Sequence, residues 1–174
     1  HNRGYAFQEI FGIPVPNPYD RFTPEGKGWL TKWNQDIRCA TTDCPTMCGF
    51  LMDMALPAIA EQNTADMVNG ATGIGLTKED VSRVGERVNN LARVFNITAG
   101  FTRADDTFPE RIMTEVIKEG GSKGQIITKG ELDFMLNEYY DARNWTREGI
   151  PTSEKLKELG LEEAVMVLKK RNQE

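Results

Sequence analysis

The sequence predicts an all-α domain, irregular in outline, of antiparallel helices with long loops between them. Two observations predict it. Apolar residues recur at three- and four-residue spacing in segment after segment, and capping sequences stand where those segments begin. A third observation is negative: no run alternates apolar and polar residues as a half-buried strand does, and no internal repeat is visible. A single domain is expected over residues 1–174, with an irregular segment over 1–26 and helices over 27–170.

The first segment holds Pro14, Pro16, Pro18 and Pro24 among Phe7, Phe11, Tyr19 and Phe22. Prolines at alternate positions resist helix, so this stretch reads as extended, with its aromatic rings packed on something. From Lys27 to Thr41 the pattern turns helical, and Trp29, Leu30, Trp33, Ile37 and Ala40 define the face expected to be buried. Cys44-Pro45 should end or interrupt that helix. A second apolar helix is expected from Gly49 to Ala60, kinked or broken at Pro57, and a short one from Thr64 to Ala71, ended by Gly73 and Gly75.

Thr77-Lys78-Glu79-Asp80 is a capping box with Asp in the usual place of Glu. It opens the clearest helix, with Val81, Val84, Val88, Leu91 and Phe95 expected inward and Arg83, Glu86, Asn90 and Arg93 outward, stopping near Ala99-Gly100. Phe101 to Gly124 reads as a loop with one short helix starting at Pro109. Thr128-Lys129-Gly130-Glu131 is another capping box, opening a helix through Arg143 with Leu132, Met135, Leu136 and Tyr139 inward. Pro151-Thr152-Ser153-Glu154 opens a last short helix; Gly160 breaks it and a charged tail follows.

With 39% hydrophobic and 27% charged residues, the composition is that of a soluble globular protein. A net charge of -5, with basic residues neighbouring acids, argues against a nucleic-acid partner. The longest apolar run, Phe50–Ala60, is interrupted by Asp53 and Pro57, so no membrane span is expected. No secretory signal is visible, and an odd, crowded set of cysteines suits a reducing compartment such as the cytoplasm. The chain opens on His1-Asn2-Arg3 without Met, which suggests a piece of a longer protein.

Cys39, Cys44 and Cys48 fall within ten residues, and the rest of the chain has no cysteine. Crowded thiols suggest metal chemistry more than disulfides. Yet Cys39-x4-Cys44-x3-Cys48 matches no common zinc or ferredoxin spacing, and three thiolates are one short of a cluster's usual four. The competing reading makes Cys39 a small core residue on the Trp29 helix. His1, the only histidine, reads equally as a terminal surface residue. Asp105-Asp106 could be paired acids, but Asp-Asp-Thr-Phe-Pro has the look of a turn and cap. Gly73-x-Gly75 lacks a preceding strand and reads as a turn, while Tyr139, Tyr140 and the tryptophans read as core.

An ordered set of landmarks decides between these readings. They are His1, Arg3 and Tyr5; Ile10-Phe11-Gly12; Trp33, Gln35 and Asp36; Asp43 followed by Cys48; and Gly85-Glu86-Arg87 with Leu91 to Asn96. Asp105-Asp106-Thr107 with Pro109-Glu110-Arg111, Tyr139 through Trp145, and the run from Ile150-Pro151 to Gly160 complete the set. The chain resembles the C-terminal helical domain of the aldehyde ferredoxin oxidoreductase family, the tungsten–pterin enzymes, from His1 to about Leu161.

The resemblance implies a longer enzyme whose N-terminal domains cradle a bis-pterin tungsten (or molybdenum) centre and supply three cysteines to a 4Fe-4S cluster. It implies Cys48 as the fourth cluster ligand and Asp43 as the carboxylate that holds the pterin. It places His1 near the metal, for proton transfer or substrate orientation, and Arg3 at a cofactor contact. Ferredoxin as electron acceptor and a small aldehyde as substrate follow from it. The isolated chain is expected to be inactive and to self-associate, as a homo-oligomer, through the face meant for the other domains. A benzoyl-CoA reductase-like subunit and a non-catalytic helical scaffold are the alternative readings. One departure stands out: where the family's motif reads Asp-x-x-Gly-Leu-Cys, this chain has Thr46 and Met47 before Cys48, with Cys44 and Pro45 as unusual additions.

Overall fold

The computed structural model describes residues 20, 22–49 and 60–171. Among them all regular structure is helical, as expected, with one isolated bridge between Trp145 and Pro151. The elements are α1 (Lys27–Arg38), a π turn (Cys39–Asp43), α2 (Ala60–Thr72), α3 (Lys78–Thr98), a 3-10 turn (Arg103–Asp105), α4 (Glu110–Thr114), α5 (Lys129–Arg143), α6 (Ser153–Glu158) and α7 (Glu162–Arg171). The Pro-rich opening segment and most of the apolar stretch from Gly49 to Ala60 lie outside the described residues.

Local sequence sets the starts of these helices. The Thr77 and Thr128 hydroxyls each accept a bond from the third backbone N–H, and their own backbone N–H groups donate to the Asp80 and Glu131 carboxylates, forming both capping boxes. Those bonds hold both carboxyls below the usual range. Thr152 caps α6, and α4 begins directly after Pro109. Helix α1 is different. Its N-cap, Gly26, has a left-handed backbone (φ 75°), no side-chain cap, and no acid in the first turn. The acceptors come from α5, where the two carboxylate oxygens of Glu138 take the N–H groups of Gly26 (2.8 Å) and Gly28 (2.6 Å).

Glycines set how closely the helices cross. A Cβ on Gly28 would stand 2.8 Å from the Met135 carbonyl oxygen and the Glu138 carbonyl carbon, so α1 and α5 touch backbone to backbone. A Cβ on Gly85 would overlap the Asp36 carbonyl oxygen and stand 2.6 Å from its carbon, so α1 and α3 do the same.

Two buried faces differ from those expected. Trp29 and Trp33 are 49% and 43% exposed, and α1 instead buries Gly28 and Asp36. On α3, Val88, Leu91 and Phe95 are exposed while Asn90 and Arg93 are buried beside Val81, Gly85, Val94 and Ile97. The cause is the same in both helices. The side that carries the close-packing glycine turns inward, and the polar residues that come with it find partners there (below). A third difference lies past Gly160, where the charged tail is helix α7. Its Ala164, Val165 and Leu168 join Val94, Ile97, Leu156, Leu159 and Leu161 in the main apolar cluster. A smaller cluster of Ala40, Ala65 and Val81 joins α2 and α3 to the π turn.

Candidate functional site

The chain does not leave helix at Arg38. Residues Cys39–Asp43 continue α1 as a single π turn, in which the Cys44 N–H donates to the Cys39 carbonyl at 2.9 Å. The Met47 N–H likewise donates to Thr42 at 2.8 Å. The Thr41 hydroxyl donates to the Ile37 carbonyl at 2.8 Å, and that of Thr42 donates to Arg38. Hydroxyls bonded back four residues compete with the backbone ladder and loosen the α register. Single π turns are frequent at functional sites. The sequence reading expected only a break at Pro45; the adjacent Thr41-Thr42 pair was the available signal.

Asp43 ends this turn with its carboxylate exposed, 3.3 Å from the Thr42 hydroxyl. Cys44 and Cys48 are exposed, and Cys39 is buried. Burial, followed by the neighbouring Cys44 and the charges of Asp43 and Asp36, pushes the Cys39 thiol up to about 12, so it keeps its proton. The Arg38 guanidinium lies next to Gly49, 3.3 Å from where an alanine Cβ would be, and so beside the residue that follows Cys48. His1 and Arg3 lie outside the described residues. Among the described residues no group of three or more His, Cys, Asp or Glu gathers to hold a metal ion. The turn therefore presents two exposed thiols, Cys44 and Cys48, and one exposed carboxylate, Asp43.

The backbone between them is strained. Thr46 has φ 57°, a left-handed conformation that costs a β-branched residue about 1–2 kcal/mol. Cys44 stays helical (φ -64°, ψ -47°) although Pro45 follows, a combination that sterics disfavour. Thr46 occupies the position where the motif quoted above has Gly, so the backbone keeps the shape a glycine would take. Thr46→Gly is expected to raise stability by about 1 kcal/mol, read as an increased urea midpoint at unchanged slope.

The helices also hold a polar network that sequence reading missed. Asp36 Oδ1 accepts from Arg143 Nη1 at 3.0 Å and Asn89 Nδ2 at 2.9 Å, and its Oδ2 from Lys32 Nζ at 2.9 Å. Gln35 Oε1 accepts from Arg143 Nη2 at 2.8 Å and from the Tyr139 hydroxyl at 2.7 Å. Arg143 is wholly buried and Asp36 is 5% exposed. A second group joins Arg93 to both oxygens of Asp106 at 2.8 and 2.6 Å. There the Tyr140 hydroxyl donates to Asp106, and Trp145 Nε1 donates to Asn90 at 2.8 Å. Burial, reinforced by Asp106, raises the Tyr140 phenol well above its ordinary value, so it remains a donor. Asp105 caps the 3-10 turn through Thr102. The acid pair is thus a cap and an ion pair, and Gly73 and Gly75 form a positive-φ turn pinned by Asn69. The landmark residues Gln35, Asp36, Asp106, Tyr139, Tyr140, Arg143 and Trp145 are members of these two groups, which tie α1, α3 and α5 together.

The family model described as aldehyde ferredoxin oxidoreductase, domains 2 & 3, matches residues 1–161. The chain belongs to the aldehyde ferredoxin oxidoreductase family. It is 44% identical over 159 residues to the tungsten-containing aldehyde ferredoxin oxidoreductase of Pyrococcus abyssi, covering 90% of this chain and 24% of that protein. With the enzyme of the same name from Pyrococcus furiosus it is 43% identical over 166 residues, covering 94% and 26%. A P. furiosus aliphatic sulfonate oxidoreductase, WOR-like subunit, is 27% identical over 134 residues, covering 74% and 20%. Among solved structures, the active-site complex BamBC of benzoyl coenzyme A reductase in complex with 1,5-dienoyl-CoA superposes with a TM-score of 0.63 at 18% identity. It covers 99% of this chain and 27% of that one, and shows a shared fold. The chain spans about a quarter of the length of the aldehyde ferredoxin oxidoreductases it matches.

Proposed function

We propose that this chain is the cofactor-docking helical part of a tungsten–bispterin oxidoreductase that converts aldehydes to carboxylic acids and passes electrons through a 4Fe-4S cluster to ferredoxin. The observation that carries this reading is the exposed Asp43–Cys48 turn, in a chain of this family, with no other ligand set among the described residues. Donor chemistry fits. A thiolate is a soft ligand for iron, and the Cys48 thiol is exposed. An exposed carboxylate can accept hydrogen bonds from the ring N–H and amino groups of a pterin. When bound, the pair of centres supplies two-electron oxidation at the metal and an outlet for single electrons. Cys39, buried and protonated, is unsuited as a ligand.

In this reading Cys48 is the fourth ligand, Asp43 holds the pterin, and the remaining three cysteines come from the enzyme's N-terminal domains. His1 serves proton transfer or substrate orientation, and Arg3 contacts the cofactor. Free thiols suit the cytoplasm, and no described helix is long and apolar enough to cross a membrane.

In the full-length polypeptide, Cys48→Ser should lower both iron content and the cluster's visible absorption, while Cys39→Ser leaves them as they are. Unaltered iron and spectrum in Cys48→Ser would remove the assignment. Turnover of aldehydes, rather than of aryl-CoA thioesters, should accompany the intact cluster; the opposite preference would favour the reductase reading instead.

A further inference from the structure

Cys39 and Cys44 have no part in the proposed cofactor chemistry, yet the π turn brings them together. In an α-helix, residues five apart stand on different faces with Cα atoms about 8.6 Å apart, beyond the roughly 7 Å that a disulfide can span. The π register changes this, because residues five apart are bonded backbone to backbone, which draws their Cα atoms closer. Here the Cys44 N–H reaches the Cys39 carbonyl at 2.9 Å. One thiol is exposed and the other buried, and neither is bridged.

We propose that Cys39 and Cys44 form an oxidation-sensitive dithiol that closes to a disulfide and leaves Cys48 as a free thiol. The oxidant is of the hydroperoxide class. The exposed Cys44 sulfur attacks the peroxide O–O bond and becomes a sulfenic acid, releasing an alcohol (or water, from hydrogen peroxide). The Cys39 sulfur then displaces hydroxide from the Cys44 sulfenic acid; with the Cys39 proton this leaves as water, and the S–S bond forms. Two thiols thereby lose one electron each, and the peroxide gains two. The order follows from position: Cys44 meets solvent, whereas Cys39 is buried. The dithiol stands independently of the cluster assignment, whose failure would show in iron content and not in disulfide mapping.

Cleavage before Asp36 and Asp43 and after Met47 puts the three cysteines on separate peptides. The intact protein, reduced and then treated with one equivalent of hydrogen peroxide, should lose two of these three alkylatable thiols. The Asp36–Thr42 peptide should be joined to Asp43–Met47, with Cys48 alkylated. In Cys39→Ser treated with two equivalents, Cys44 should instead pass through sulfenic to sulfinic acid, the second peroxide supplying the second oxygen, because no Cys39 thiol traps the sulfenic acid. Joining of Cys44 to Cys48, or sulfinic acid at Cys44 with Cys39 still a thiol, would overturn the proposal. So would an unchanged fate of Cys44 in Cys39→Ser.

Discussion

Gly85→Ala should destabilise the chain by about 3 kcal/mol, the upper end of what overpacking commonly costs. The direction is informative because helix propensity alone favours alanine in mid-helix by about 1 kcal/mol. The added methyl group would meet backbone at Asp36, which cannot swing aside as the end of a side chain can. Helix α1 would have to move off α3, taking Asp36 away from Asn89. Gly70→Ala is the control: Gly70 is also helical, but nothing lies within 4 Å of its added Cβ, so stability should rise by about 0.5–1 kcal/mol. Urea denaturation of the two variants beside the parent measures both. If Gly85→Ala matched Gly70→Ala in sign, the close crossing of α1 and α3 would be refuted.

The second large effect is expected at Arg143. Arg143→Met removes the wholly buried guanidinium and strands the Asp36 carboxylate, which keeps Asn89 and Lys32 but no longer a buried cation. Breaking a buried pair from one side costs about 3–5 kcal/mol. Lys32 places the expected loss at the lower end, about 3 kcal/mol. Exchanging both partners removes the stranded charge, so Asp36→Leu with Arg143→Met should be less damaging than the sum of the single changes. A double-mutant cycle from equilibrium unfolding reads the coupling directly. Strictly additive losses would show that the two residues are not energetically joined.

The sequence disclosed what depends on neighbours in the chain. Thr77 with Asp80, Thr128 with Glu131, Pro109 and Thr152 mark helix starts because each cap is satisfied within three residues. The inward face of α3 was illegible for the opposite reason. Periodicity ranks Val88, Leu91 and Phe95 above Asn90 and Arg93, but the ranking is overruled by partners at Asp106, Gly149 and Trp145, far along the chain. The tryptophans of α1 mislead in the same way, since Gly28 rather than a large apolar residue decides which side meets α5. Helix α7 hid behind its Lys169-Lys170-Arg171 end, although Ala164, Val165 and Leu168 keep helical spacing. Asp43 and Cys48 are singled out in the sequence only by their place in a family motif. The π turn that presents them is not singled out, because hydroxyl back-bonds and the packing of Ala40 against Ala65 and Val81 create it.

The borrowed cap of α1 bears on how the molecule is made. A twelve-residue helix with no side-chain cap of its own is marginal alone. Its acceptor, Glu138, is translated 112 residues after Gly26. At ordinary elongation rates the ribosome needs on the order of ten seconds to cover that distance. Through that interval α1 and the Asp43–Cys48 turn behind it lack their anchor, and the thiols ride on an unsettled nascent chain. The Asp43–Cys48 turn is thus an outcome of late tertiary assembly, settled only after α5 has been synthesised.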